Sequence, residues 1–265
     1  MRPDDIFGPA VFGSQYDATF GALIDYARLS DVLLEEVPPG TGFLDLACGT
    51  GRLLEEIRAR TASVSLGGVD LVEAQLEIAR GRVADARLIL DDVLELSRLE
   101  LSGIPPRWVG HAGFGFLNLL PAVQRCRLFA ACARHDGLQE IWVEVWSPDH
   151  QQTRFTSGTW YEHSMSHGFL RARNRRSRAG EVEIEFQFFV GGSSPVVSVQ
   201  QMFEVSRSEI EAEAGRSGWR LVRTIPCTYR REPDSHLLLV FSRDRSYAAA
   251  GSEQAAEGVR RAENA

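Results

Sequence analysis

The segment Phe43-Leu-Asp-Leu-Ala-Cys-Gly-Thr-Gly51 limits the possible folds more than any other part of the chain. A short apolar run passes through two closely spaced glycines into Arg52 to Arg60, where apolar positions recur at helical spacing. Glycine at such a junction lets the chain turn sharply and lets backbone approach a bound group closely, a geometry that suits a nucleotide. The position three after Gly51 is Leu54 rather than glycine or alanine, so this is not the dinucleotide fingerprint. Asp70 ends the next apolar run, where a carboxylate can accept both hydrogens of a ribose diol.

Beyond this turn, the runs Val64 to Val69, Leu88 to Leu90, Trp108 to Phe116 and Ile141 to Trp146 alternate with helical patterns over Glu73 to Val83 and Val123 to Ala133, the latter entered through Pro121. That rhythm predicts a parallel sheet. Upstream, Phe20, Leu23, Ile24, Ala27, Val32, Leu33 and Val37 predict a helical cap over residues 1–40, stopped by Pro38-Pro-Gly40. Between about residues 150 and 204 the pattern changes to β-rich runs, Phe169 to Arg173, Glu181 to Val190 and Val196 to Glu204, broken by glycines. They predict an antiparallel lid. Ser206-Arg-Ser-Glu209 is a capping box ahead of a helix, and Trp219 to Tyr229 and His236 to Phe241 read as two closing strands. The core therefore spans residues 41–149 and 205–243. Residues 244–265, rich in Ala, Glu, Gly and Ser, read as a weakly structured tail.

The chain of 265 residues, 44% hydrophobic, is long enough for one large α/β core carrying an insertion. Its net charge of −7 argues against a polyanionic partner and for a small molecule. Lysine is absent, which excludes a Schiff-base lysine and a P-loop lysine. The four cysteines show no Cys-x-x-Cys spacing, so neither a disulfide framework nor a zinc site is expected. The N-terminus lacks a basic region followed by an apolar stretch, and no run reaches the ~18 apolar residues of a membrane span. A cytoplasmic protein without membrane or nucleic-acid partners, monomeric or homodimeric, is the expectation.

Taken together, Asp45-Leu-Ala47-Cys-Gly49-Thr-Gly51 and Gly68-Val-Asp-Leu-Val-Glu-Ala-Gln-Leu-Glu-Ile-Ala-Arg80 resemble the class I S-adenosylmethionine-dependent methyltransferases of small-molecule type. Their first motif is acidic-x-Gly-x-Gly-x-Gly, with Ala47 here replacing the first glycine. The resemblance implies an α/β, Rossmann-like seven-stranded methyltransferase sheet with helices on both faces, an antiparallel β lid inserted after the fifth strand, and an N-terminal helical cap. It implies S-adenosyl-L-methionine as cofactor, S-adenosyl-L-homocysteine as product and no metal. It also implies a cofactor set of Asp45, Ala47, Cys48, Gly49, Gly51, Asp70, Leu71, Gln75 and Phe114. Asp92 would stand beside the adenine amino group, with Val93 as its neighbour. Phe12-Gly-Ser-Gln-Tyr-Asp17 extends the resemblance and implies Tyr16 over the methionine end. Phe114-Gly-Phe-Leu-Asn118 stands where the family places a loop leading to cofactor and acceptor.

Methyl transfer from a sulfonium is an in-line displacement, so holding the acceptor opposite the sulfur and excluding water matter most. A base helps where the acceptor carries a proton. Tyr16, His111, Glu144 and His163 are the candidates by position, and Phe116, Asn118, Trp160, Tyr161 and Arg171 the candidates to meet the acceptor. The spacing of His163 and His167 would put two imidazoles on one helical face. Arg171, Arg173, Arg175, Arg176 and Arg178 form the strong basic cluster, the first three on one face of a strand. It reads as a solvated sheet edge or as contact with an acidic acceptor or RNA phosphate. Three activities are open: methylation of a N, O or C atom of a small molecule in natural-product metabolism, methylation of RNA or protein, and a reaction of the bound sulfonium other than methyl transfer.

Overall fold

The computed structural model describes residue 17 and residues 24–101, 105–147, 158, 160–165, 168–178, 181–190, 196–226 and 236–243. Helix α1 (Tyr26–Glu36) opens where the Asp25 side chain accepts the Arg28 amide at 3.0 Å, and it buries Tyr26, Leu29 and Leu33, spaced three and four apart. Then follow β1 (Gly42–Leu46), α2 (Arg52–Arg60), β2 (Leu66–Asp70), α3 (Glu73–Arg82), β3 (Arg87–Leu90) and β4 (Trp108–Ala112). A 3₁₀ turn (Phe116–Leu119), α4 (Ala122–Ala133) and β5 (Leu138–Trp146) complete the first part of the core. Helix α5 (Arg207–Gly215), β10 (Trp219–Pro226) and β11 (His236–Arg243) return to it after an intervening four-stranded unit, β6 (Tyr161–Met165), β7 (Gly168–Arg178), β8 (Glu181–Val190) and β9 (Val196–Phe203).

Seven strands form the main sheet in the order β10-β11-β5-β4-β1-β2-β3, and the second sheet runs β6-β7-β8-β9. Strands β1 to β5 are mutually parallel, while β11 runs antiparallel between β5 and β10. The central strands β1, β2 and β4 are buried along their whole length, as a sheet covered by helices on both faces requires. Alternation along β1 divides the core in two. Leu44 and Leu46 join Phe129, Trp219 and Phe241 on the side of α4 and α5, whereas Phe43 packs with Leu29, Leu33, Leu53 and Leu54 on the side of α1 and α2. This is the Rossmann-like sheet expected from the sequence, and the capping box is present, with Ser206 accepting the Glu209 amide and Glu209 accepting the Ser206 amide.

Three local expectations change. The fourth strand stops at Ala112, not Phe116, because the backbone turns through positive φ at Phe114 (60°) and Gly115 (72°). The fifth strand begins three residues earlier than its apolar run, at Leu138. Residues 161–165 form a strand, with His163 opposite Leu170 and Tyr161 opposite Ala172, so the helical pairing of two histidines does not arise. His167, Tyr16 and the tail 244–265 lie outside the described residues, as does most of the N-terminal cap.

The inserted sheet is fastened to the core by its inner face, where Ala172, Val182, Ile184 and Met202 pack with Phe186, Trp146 and Leu119. Asn118 Nδ2 donates to the carbonyl of Phe203, the last residue of β9, at 2.9 Å. On the far side of this junction Arg125 of α4 forks onto Glu213 of α5 at 2.8 and 2.7 Å, and its third nitrogen reaches the Leu120 carbonyl at 2.7 Å. Both side chains are buried, so each charge depends on the other. Arg125→Met is expected to lower the unfolding free energy by about 3–5 kcal/mol by stranding the Glu213 charge. The double change Arg125→Met, Glu213→Leu should recover most of it, as read by urea denaturation.

Candidate active site

Strand order reverses between β1 and β4, since β2 and β3 continue one way and β5 the other. In open α/β sheets the crevice beyond the carboxyl ends of two such strands is where ligands bind. The glycine turn stands there. Its loop is closed by the Cys48 amide donating to Val69 O and the Gly51 amide to Cys48 O, both at 3.0 Å. Ala47, Gly49 and Gly51 all take positive φ, 64°, 54° and 74°. A Cβ on Gly51 would come within 2.8 Å of the Ala79 Cβ, so this glycine sets how closely the turn lies on α3. A Cβ on Gly49 would meet nothing within 4 Å, which leaves backbone open to a ligand on that side.

Asp70 accepts the Gly49 amide through Oδ2 at 2.7 Å and the Val72 amide through Oδ1 at 2.9 Å. Burial raises its pKa, and the Val72 and Gly49 amides oppose that rise. Each oxygen keeps a lone pair, as a ribose diol would need. Leu71, next to it, is 47% exposed, an apolar surface at the crevice that the face of a purine would cover. Gln75 on α3 and Val93 beyond β3 are both buried. The two aspartates after β3 have separate tasks. Asp91 accepts the amides of Asp92 and Arg98 and the Ser97 hydroxyl, which commits it to its own loop. Asp92 uses Oδ1 for the Leu94 amide at 2.8 Å. The open glycine backbone, the doubly anchored carboxylate and the bare leucine together fit S-adenosylmethionine. Cys48 packs on Gly68, where a Cβ would lie 2.7 Å from Sγ. Burial first, and then the charges of Asp45 and Asp70, push its thiol well up, so it contributes shape rather than a thiolate.

Sequence reasoning missed the network beside the turn. Thr50 Oγ1 donates to Asp17 Oδ1 at 2.7 Å, Arg82 Nη1 donates to Thr50 Oγ1 at 2.8 Å, and Arg82 Nη2 donates to Asp17. Asp17 adjoins Tyr16 in the expected Tyr-Asp pair, a usable signal. Arg82, on the last turn of α3, carries none.

The candidates around β4 are placed differently from one another. His111 is fully buried inside the strand, its Nδ1 3.1 Å from Asp45 Oδ1. Glu144, also fully buried, accepts the Phe114 amide at 2.9 Å and lies 3.6 Å from His236 Nε2. It thereby anchors the turn after β4 at the residue with positive φ, and neither this bond nor the place of His236 has a signal in the local sequence. Gly115 lies against Trp146, whose Nε1 would be 3.0 Å from an added Cβ. Phe116 and Asn118 sit on the 3₁₀ turn that follows, Asn118 tied to the inserted sheet. Trp160 is covered by two guanidinium groups, Arg173 at 4.4 Å and Arg171 at 5.0 Å from its ring centre. These arginines are also paired, Arg171 with Glu162 at 3.0 Å and Arg173 with Glu185 at 2.8 Å, while Arg175 lies 3.7 Å from Glu185. The pairing commits Arg171 and Arg173 to neighbours within the sheet. The structure places the lid candidates Trp160 and Arg171 together, separately from the pair His111 and Asp45. Among the described residues no group of three or more His, Cys, Asp or Glu is arranged to hold a metal, and no helix is long and apolar enough to cross a membrane.

Residues 43–103, from β1 to the loop beyond β3, match the family described as "Methyltransferase domain". No curated protein matches the chain. Solved structures do. An S-adenosylmethionine-dependent methyltransferase from Clostridium acetobutylicum aligns over 87% of this chain and 97% of its own, with TM-score 0.68 and 18% identity. The CcbJ methyltransferase from Streptomyces caelestis aligns over 86% and 97%, with TM-score 0.67 and 17% identity. CalS10, an amino pentose methyltransferase from Micromonospora echinaspora involved in calicheamicin biosynthesis, aligns over 83% and 90%, with TM-score 0.62 and 21% identity.

The φ of 64° at Ala47 is strain that a side chain brings to a left-handed position. Ala47→Gly is expected to raise stability by about 1 kcal/mol, visible as a higher thermal midpoint, since the loss of strain exceeds the added chain entropy.

Proposed function

We propose that this chain is an S-adenosylmethionine-dependent methyltransferase that methylates an amine nitrogen of a small natural-product-like acceptor, a reading supported by the methyltransferase-domain match over residues 43–103 and by solved structures of the same fold. The observation that carries the reading is the Asp70 carboxylate and the open Gly49 backbone at the carboxyl ends of β2 and β1, beside the point where strand order reverses. Amine acceptors are supported by solved structures of the same fold described as an amino pentose methyltransferase, a sugar N-methyltransferase and a glycopeptide N-methyltransferase. The paired state of Arg171, Arg173 and Arg175 speaks against RNA.

When bound, S-adenosylmethionine supplies an electrophilic methyl on its sulfonium, and S-adenosylhomocysteine is the product. In this reading Asp70 accepts the ribose hydroxyls, Leu71 and Val93 cover the adenine, and Asp92 faces its amino group. Asp45, Ala47, Cys48, Gly49, Gly51, Gln75 and Phe114 surround the methionine end, and Phe116, Asn118, Trp160 and Arg171 bound the acceptor side. A neutral amine attacks through its own lone pair, so the site's task is orientation and exclusion of water. Glu144 serves this by holding the Phe114 turn.

S-adenosylmethionine should raise the thermal midpoint, and Asp70→Ala should abolish the rise while the apo protein still unfolds cooperatively. Because burial raises the Asp70 pKa, cofactor affinity should weaken on acidification sooner than an exposed aspartate would allow. Incubation with amino sugars should yield S-adenosylhomocysteine in step with N-methylated product. Methylated hydroxyls in place of amines would overturn the acceptor class.

A further inference from the structure

One polar pair spans the point where strand order reverses. Asp45 on β1 and His111 on β4 are register partners, and both are buried, at 2% and 0% exposure. Nδ1 of the imidazole lies 3.1 Å from Asp45 Oδ1. The ring is held from two sides, by Phe43 at 5.6 Å and edge-on by Phe114 at 6.1 Å between ring centres. Its other nitrogen, Nε2, is buried and has no hydrogen-bond partner among the described residues. A buried polar atom without a partner is costly, so it calls for a partner that arrives with a ligand. The direction is given by Gly113, the first residue beyond β4. A Cβ there would lie 2.4 Å from His111 Cε1 and 2.9 Å from Nε2. The unpaired nitrogen thus points toward the carboxyl end of the strand, where the crevice opens.

An aspartate on Nδ1 selects the tautomer with the proton on Nδ1, which leaves a lone pair on Nε2. In that tautomer the site presents an acceptor nitrogen backed by a carboxylate, a combination that suits a cationic N–H donor. We propose that His111 Nε2 accepts a hydrogen bond from the α-ammonium of S-adenosylmethionine, with Asp45 as the positioning residue that sets its tautomer. This rests on the cofactor reading above and gives His111 a binding role in place of proton removal from the acceptor. Phe114 then couples the two halves of the site, since its ring packs on the imidazole and its amide is held by Glu144.

Calorimetry on the full chain separates this from a structural role. The two probes are S-adenosylmethionine and 5′-methylthioadenosine, which has the adenine, ribose and sulfur but no amino acid end. His111→Phe should weaken S-adenosylmethionine by about tenfold or more and leave methylthioadenosine within about twofold. Asp45→Asn, which releases the tautomer while keeping size, should show the same split and carries the test if the phenylalanine variant does not fold. His111→Gln, which can place an amide oxygen near the Nε2 position, should recover part of the loss. Equal weakening of both probes, or no weakening of S-adenosylmethionine, would overturn the proposal. A wild-type chain that binds methylthioadenosine but not S-adenosylmethionine would also overturn it. Binding of neither would overturn the cofactor reading beneath it as well.

Discussion

The carboxylate of Asp70 is the interaction on which the rest of the site depends. One oxygen holds the amide of Gly49 in the turn after β1, and the other holds the amide of Val72 as the chain leaves β2. Two loops that belong to different β-α units are thereby fixed to a single group. The burial that raises its pKa is opposed in part by those same two amides, so the charge is tolerated because it organises backbone. The Thr50, Asp17 and Arg82 network braces the same turn from the outside. Ala47 keeps a strained φ within it, which is sustainable only because its surroundings fix the conformation.

The sequence made this half of the molecule readable because each element there obeys a local rule. Glycine marks a turn, apolar runs mark strands, Asp70 and Asp92 occupy the residues where strands end, and Ser206 with Glu209 announces a helix. What could not be read depends on pairing across distance. Nothing near Arg125 in the chain indicates Glu213, and nothing near Glu144 indicates Phe114 or His236. The turn after β4 was read as strand because Phe114 and Phe116 extend an apolar run, and apolar character does not report the sign of φ. Residues 161–165 misled for a related reason. His163 and His167 match a helical spacing, but β6 is formed by its partner β7.

Charge in the inserted sheet shows how composition misleads without geometry. Five arginines between 171 and 178 look like a surface for phosphate. In the fold, Arg171 and Arg173 stack on Trp160 and meet Glu162 and Glu185, whose own pKa is lowered chiefly by its hydrogen bond with Arg173. Arg171 and Arg173 thus serve as an internal fastening of the sheet, with the Trp160 ring part of it.

The Arg125–Glu213 pair stands at the base of the insertion, with α4 ahead of β5 and α5 just beyond β9. Asn118 grips the end of β9 from the 3₁₀ turn. The four-stranded unit is therefore a cassette, clamped at its exit by groups that belong to the core. Change in the outer strands of this cassette leaves the turn held by Asp70 untouched, because both amides that fix that turn belong to the core.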